Sequence, residues 1–147
     1  MRQGRKRGRG ARIPEGALTT STVAWLTGFH TLTLSRWITR GVIRPRNVGT
    51  RTWRVFAWSD KDIAVVYLAS KLRKLGVPPK RVEVVAKALA KSGVDLADAV
   101  IFTDKKDIYL VVAPGESIDL TSSPGNLVCY PLGPWVTEIS AKLEAVT

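Results

Sequence analysis

Gly28 and Gly41 interrupt an otherwise helix-forming stretch so closely that the chain between and before them can hold only short helices. Leu18-Thr19-Thr20-Ser21-Thr22-Val23-Ala24-Trp25-Leu26-Thr27 predicts the first, with Thr19 as N-cap and Leu18 and Val23 placed to staple its start. Gly28 suits the left-handed residue that ends it. A second helix follows at once, capped by His30 or Thr31, with Leu34, Trp37 and Ile38 spaced i, i+3, i+4 on one face, and Gly41 closes it. Two such helices joined through a glycine make a helix-turn-helix by spacing alone.

The outward face of the second helix carries Thr31, Thr33, Ser35, Arg36, Thr39 and Arg40, small or basic residues with no carboxylate among them. A surface that reads a DNA groove requires that composition; an ordinary solvated face does not. Arg36 and Arg40 lie one turn apart, where a guanidinium can fork onto guanine or clamp a phosphate. Thr31, Thr33 and Ser35 can bond bases or phosphates, or act as caps and back-bonds within the helix. His30 reads as a helix cap at the edge of this face rather than a base or metal ligand, because no second His, Cys or carboxylate lies at ligand spacing.

Charge is distributed in the same sense. The 147 residues carry a net +11, yet residues 1–92 hold 20 of the 23 Lys+Arg and 4 of the 12 acids, a net +16, and residues 93–147 carry −5. A segregated excess points to a localised face for a polyanion. At the start, Arg2, Arg5, Lys6, Arg7, Arg9 and Arg12 alternate with Gly4, Gly8 and Gly10, which predicts a flexible cationic arm over residues 1–16 that tracks phosphates or stays solvated. It has no Gly-Lys-Ser/Thr and is no phosphate loop.

After Arg44-Pro45, the polar run Arg46-Asn47-Val48-Gly49-Thr50-Arg51 and the strand-like Thr52-Trp53-Arg54-Val55-Phe56-Ala57-Trp58 predict a β-hairpin wing, with Arg44, Arg46, Thr50, Arg51 and Arg54 available to a phosphate backbone. Ser59 and Asp62 form a capping box opening a helix from Asp60 to Leu75. Gly76 closes it, and Pro78-Pro79 start another from Lys80 to Lys91 with Val82, Val85, Ala86 and Leu89 inward. Composition, charge sign and period all change at Ser92-Gly93.

Beyond that boundary, Ala99–Phe102, Ile108–Val112 and Leu127–Tyr130 read as strands separated by Asp104–Asp107, Pro114-Gly115 and Pro124-Gly125 turns, and a last helix is predicted from Trp135 to Ala145. The fold class is α+β: an arm (1–16), a winged helix-turn-helix domain (17–92), and a small β-rich module ending in a helix (93–147) that packs on the helical domain, pairs with another copy, or both. Trp37 and Trp58 are predicted core residues; Trp25 and Trp53 are left between core and a single-strand stacking platform, and Cys129 is expected to be packed in its strand.

Several function classes are excluded by what is missing. One Cys and one His build neither a disulfide scaffold nor a Cys/His zinc cluster. The apolar run Ile63–Ala69 is far short of a bilayer, and the charged opening lacks the apolar core of a secretory signal, so a soluble intracellular chain without membrane partners is expected. No nucleophile stands beside a base, Asp104 and Asp107 read as turn residues, and neither enzymatic activity nor a cofactor is expected.

Taken in order, Thr19…Val23-Ala24…Thr27-Gly28, Thr33-Leu34…Arg40-Gly41-Val42-Ile43-Arg44-Pro45, Trp58-Ser59-Asp60-Lys61-Asp62-Ile63 and Leu72-Arg73-Lys74-Leu75-Gly76-Val77-Pro78…Val82 resemble the DNA-binding domain of the MerR family of transcription regulators. The likeness departs where the family usually has Tyr-Tyr and this chain has Arg36-Trp37, a stretch equally similar to excisionase-type helix-turn-helix proteins. It also departs in lacking the usual dimerising coiled coil and effector domain. What the resemblance implies is a sequence-specific binder of double-stranded DNA, a repressor acting by occupancy, with an antitoxin-like adaptor and an excisionase-like bending factor as alternatives. A homodimer through the C-terminal module, a protein partner for its acidic surface, and a nucleoid-associated location in a prokaryotic or viral-host cell complete the expectation.

Overall fold

The computed structural model describes residues 18–93, 95–103, 108–111 and 128–146. The cationic arm and the turns expected at Asp104–Asp107, Pro114-Gly115 and Pro124-Gly125 lie outside these residues.

Helix α1 spans Thr20–Thr27, with the Thr19 hydroxyl accepting from the Thr22 amide and Gly28 at φ +81° donating its amide to the Ala24 carbonyl. Helix α2 spans Thr31–Thr39, and His30, not Thr31, caps it: Nδ1 accepts from the Leu32 amide at 3.1 Å. Its other end closes in a doubly bonded left-handed turn, Gly41 at φ +74° donating to Ile38 and Val42 to Trp37. The same closure recurs at Gly76 (φ +94°) after helix α3 (Asp60–Lys74), through Gly76 to Arg73 and Val77 to Leu72. At both positions an L side chain would meet backbone strain, so these glycines fix where the helices stop.

Strands β1 (Arg46–Asn47) and β2 (Phe56–Ala57) pair antiparallel, with Arg46 opposite Ala57 and Asn47 opposite Phe56. Helix α3 spans Asp60–Lys74; Ser59 Oγ accepts from the Asp62 amide, the forward half of the expected capping box. Acids in its first turn and Lys71, Arg73 and Lys74 in its last complement the helix dipole. Helix α4 (Pro79–Lys91) starts on the proline, whose missing amide hydrogen costs nothing at a helix start, and turns Val82, Val85, Ala86 and Leu89 inward.

A short 3₁₀ turn, Leu96–Asp98, is capped by Asp95 and was not evident in the sequence pattern. Strand β3 (Val100–Thr103) is central in a three-stranded antiparallel sheet, between β4 (Ile108–Val111) and β5 (Val128–Pro131). Helix α5 spans Gly133–Val146, starting before Trp135 because Gly133 slips past the Ala97 carbonyl, which an added Cβ would meet at 2.9 Å. Trp135 then stacks on Tyr130 of β5, centroids 5.7 Å apart.

One continuous apolar core runs from Val23 of α1 to Leu143 of α5. Helix α3 is its axis: every residue from Ile63 to Ser70 is buried, which accounts for the longest apolar run of the sequence. Trp37 and Trp58 are core residues as expected, whereas Trp25 and Trp53 are exposed by 76% and 57%. Cys129 corrects its expectation. It is exposed, because strand side chains alternate in direction and Tyr130, next to it on β5, takes the half-buried side.

Polar contacts tie α5 to α3 over this core. The Tyr67 hydroxyl donates to the Glu138 carboxylate, which also pairs with Lys71 at 2.9 Å, while Lys142 donates to the Tyr67 oxygen at 3.4 Å. The ammonium groups of Lys71 and Lys142 lie 5.2 and 5.0 Å from the Tyr67 ring centroid. Because α3 and α5 share one core, Ile139→Ala, at a fully buried α5 position, is expected to cost about 2–5 kcal/mol. Urea unfolding followed by hydrogen exchange should show α3 and α5 amides losing protection together.

Candidate nucleic-acid interface

Burial of Leu34 and Trp37 fixes the roll of α2 and sends its other side to solvent. Thr31, Ser35, Arg36, Thr39 and Arg40 are exposed there, and Thr33 is half-buried. Trp37 is held against Phe29, centroids 5.2 Å apart, so the helix cannot roll without breaking that pair. His30 is exposed, and because its Nδ1 accepts the capping bond, Nε2 is the nitrogen left to donate outward. Thr39 returns its hydroxyl to the Ser35 carbonyl at 3.0 Å, the internal back-bond open to residues of this type.

Between α2 and α4 lies a cleft of about 290 Å³, lined by Thr33, Arg36, Arg40, Arg73, Lys80 and Glu83 over Phe29 and Trp37. The Arg73 guanidinium sits 5.5 Å from the Phe29 ring centroid. Arg73, with Lys74 beside it, also lines a second opening at Gly28, Phe29 and Ser70. Sequence reading passed over Arg73, Lys74 and Lys80, since they look like ordinary charges at helix ends; only the packing of α3 and α4 beside α2 places them there. The same packing brings Glu83 to the face that is free of carboxylates within α2 itself: Arg40 donates to Glu83 Oε1 at 2.6 Å.

The wing is organised by side chains more than by a ladder. Asn47 Oδ1 accepts from the amides of Gly49 (2.9 Å) and Val55 (3.2 Å), and its Nδ2 donates to the Thr50 carbonyl (3.2 Å). Thr50 and Trp53 pair through backbone, and the Thr50 hydroxyl accepts the Trp53 amide at 2.8 Å. The strand expected over Thr52–Trp58 therefore shrinks to Phe56–Ala57, since these bonds compete with sheet pairing. Gly49 is required by proximity: a Cβ there would collide with the Trp53 carbonyl oxygen.

Arg51, Trp53 and Arg54 are exposed towards the tip of the wing and Arg46 at its base, with the Arg54 guanidinium 5.5 Å from the Phe56 ring centroid. Arg44 is exposed beside the closing turn of α2, its guanidinium reaching over Gly41. Arg2, Arg5, Lys6, Arg7, Arg9 and Arg12 lie outside the described residues.

A short helix pair with its second member turned outward, a hairpin, and two further helices packed beside it are the arrangement covered by one family model, that of MerR HTH family regulatory proteins, which matches residues 18–89. Those residues are a MerR-family DNA-binding domain. A search of curated proteins gave no match to the chain. Residues 18–89 are thus those of a MerR-type HTH transcription regulator, a DNA-binding and non-enzymatic family. Among the described residues no helix is long and apolar enough to cross a membrane, and no three His, Cys, Asp or Glu side chains gather as a metal site.

Because Asn47 alone satisfies the amides of Gly49 and Val55 from one oxygen, Asn47→Ala is expected to cost the wing about 1 kcal/mol per lost bond. Amide exchange should speed up over residues 48–55 while the melting temperature of the whole domain barely moves.

Proposed function

We propose that this MerR-type regulator is a repressor that acts by occupying its site, with α2 in the major groove of double-stranded DNA. The observation that carries the reading is that Arg36 stands exposed on a helix whose opposite face is locked in the core by Leu34 and Trp37. A reading side chain has to be presented from a rigid element, and this one is. Arg36 forks onto a base edge; Thr33 and Arg40 share its cleft, while His30, Thr31, Ser35 and Thr39 flank them. The wing, through Arg44, Arg46, Thr50, Arg51 and Arg54, meets the neighbouring backbone. Arg73, Lys74 and Lys80 hold phosphates on the other side of α2, and the arm of Arg2, Arg5, Lys6, Arg7, Arg9 and Arg12 adds sequence-independent affinity.

A homodimer through residues 93–147 follows from the same reading. Its support is that β4 and β5 each pair only with β3 among the described residues, which leaves two sheet edges. Selection of bound sites from random duplexes tests both points at once, since two protomers related by a two-fold axis select inverted half-sites about one helical turn apart or a multiple of it.

On the selected duplex, Arg36→Ala is expected to weaken binding by about 1–3 kcal/mol and to relax preference at one position. An unaltered footprint would remove α2 from the groove. Deleting residues 1–12 is expected to weaken binding to all sequences alike and to flatten its salt dependence; equal slopes with and without those residues would make the arm a bystander.

A further inference from the structure

We propose that Glu83, on α4, is a positioning residue that sets how selectively the domain reads DNA, by holding the guanidinium of Arg40. The proposal rests on the groove-reading role of α2 given above. The cleft between α2 and α4 is lined by four cationic side chains, Arg36, Arg40, Arg73 and Lys80, and by one carboxylate, Glu83. Next to a polyphosphate that carboxylate is a liability, because it repels every duplex, whatever its sequence.

Stability is a poor reason for it. The pair is open to water, with side chains 59% (Arg40) and 29% (Glu83) exposed, and such ion pairs contribute little to folding. What the bond does supply is direction. Arg40 is the C-cap of α2, where the helix no longer constrains a long side chain. Left alone, its side chain would sample many rotamers and follow any phosphate within reach. Glu83 is the more buried partner and takes one guanidinium nitrogen, Nη1, at 2.6 Å. The guanidinium is planar and its donors are fixed in a fork, so anchoring Nη1 sets the direction of the remaining donors towards the open side of the cleft. Glu83 thus lowers affinity for arbitrary DNA and raises the penalty for a duplex whose acceptors do not match the held fork.

The two effects have opposite signs, which separates this role from a structural one. Binding of the full chain is measured by fluorescence anisotropy, across a range of salt, to the duplex selected by the wild-type protein and to a scrambled duplex. Glu83→Gln keeps the shape and removes the charge. It is expected to bind the scrambled duplex about three- to tenfold more tightly, with a steeper salt dependence, while preference for the selected duplex falls about tenfold.

Glu83→Asp retains the charge but withdraws it by one methylene. Its affinity for scrambled DNA should stay at the wild-type level while the preference still falls. In an Arg40→Gln background, Glu83→Gln should leave the preference where Arg40→Gln alone put it. If a selective wild-type protein and its Glu83→Gln variant show the same preference, or if the variant loses affinity for both duplexes by the same factor, the positioning role is wrong. If the wild type itself prefers no sequence, the groove-reading role falls and takes this proposal with it.

Discussion

The Trp58 indole is the interaction on which the arrangement of the DNA-binding domain depends. It is wholly enclosed, its Nε1 donates to the Thr20 hydroxyl at 2.9 Å, and its backbone amide donates to the Leu18 carbonyl at 3.1 Å. One residue therefore ties the start of α1 to the end of the wing, and its neighbour Ser59 caps α3. An indole buried with its N–H satisfied combines a large apolar contact with a directional bond. Wing, helix pair and core axis consequently meet at one fixed point, and the angle between α1 and the wing has little freedom.

Much of this was legible in the chain because the deciding signals are local. Gly28, Gly41 and Gly76 sit at left-handed positions that other residues resist, and Thr19 and Ser59 cap from their side chains, so helix limits were visible within a few residues of each signal. Leu34 and Trp37 gave the roll of α2 through period alone. The wing was less legible, since its strand-forming composition competes with the side-chain bonds of Asn47 and Thr50, and a propensity scale does not weigh one against the other. Cys129 misled for a related reason: strand composition reports pairing but not which face a neighbouring layer covers.

The candidate DNA face shows the same division. The exposed side of α2 follows from its own periodicity, but Arg73, Lys80 and Glu83 reach it from elements much further along the chain. Arg40 and Glu83 are 43 residues apart, and no pattern within α2 announces that its last turn meets a carboxylate. Charge counting over residues 1–92 includes Glu83 but does not place it against Arg40. Long-range packing, more than composition, decides which charges share a cleft.

The seating of α5 on α3 bears on how the regulator can be dissected. Ala64 of α3 and Val136, Ile139 and Leu143 of α5 line one apolar depression, and Glu138 and Lys142 close over Tyr67 beside it. The stretch that matches the MerR family ends at residue 89, well before those covering side chains. A minimal reader trimmed to its family limits would bare the flank of α3 and be prone to clump through it. Chimeras that graft this reader onto another protein therefore need either the native cap or a surrogate helix that shields the same stripe.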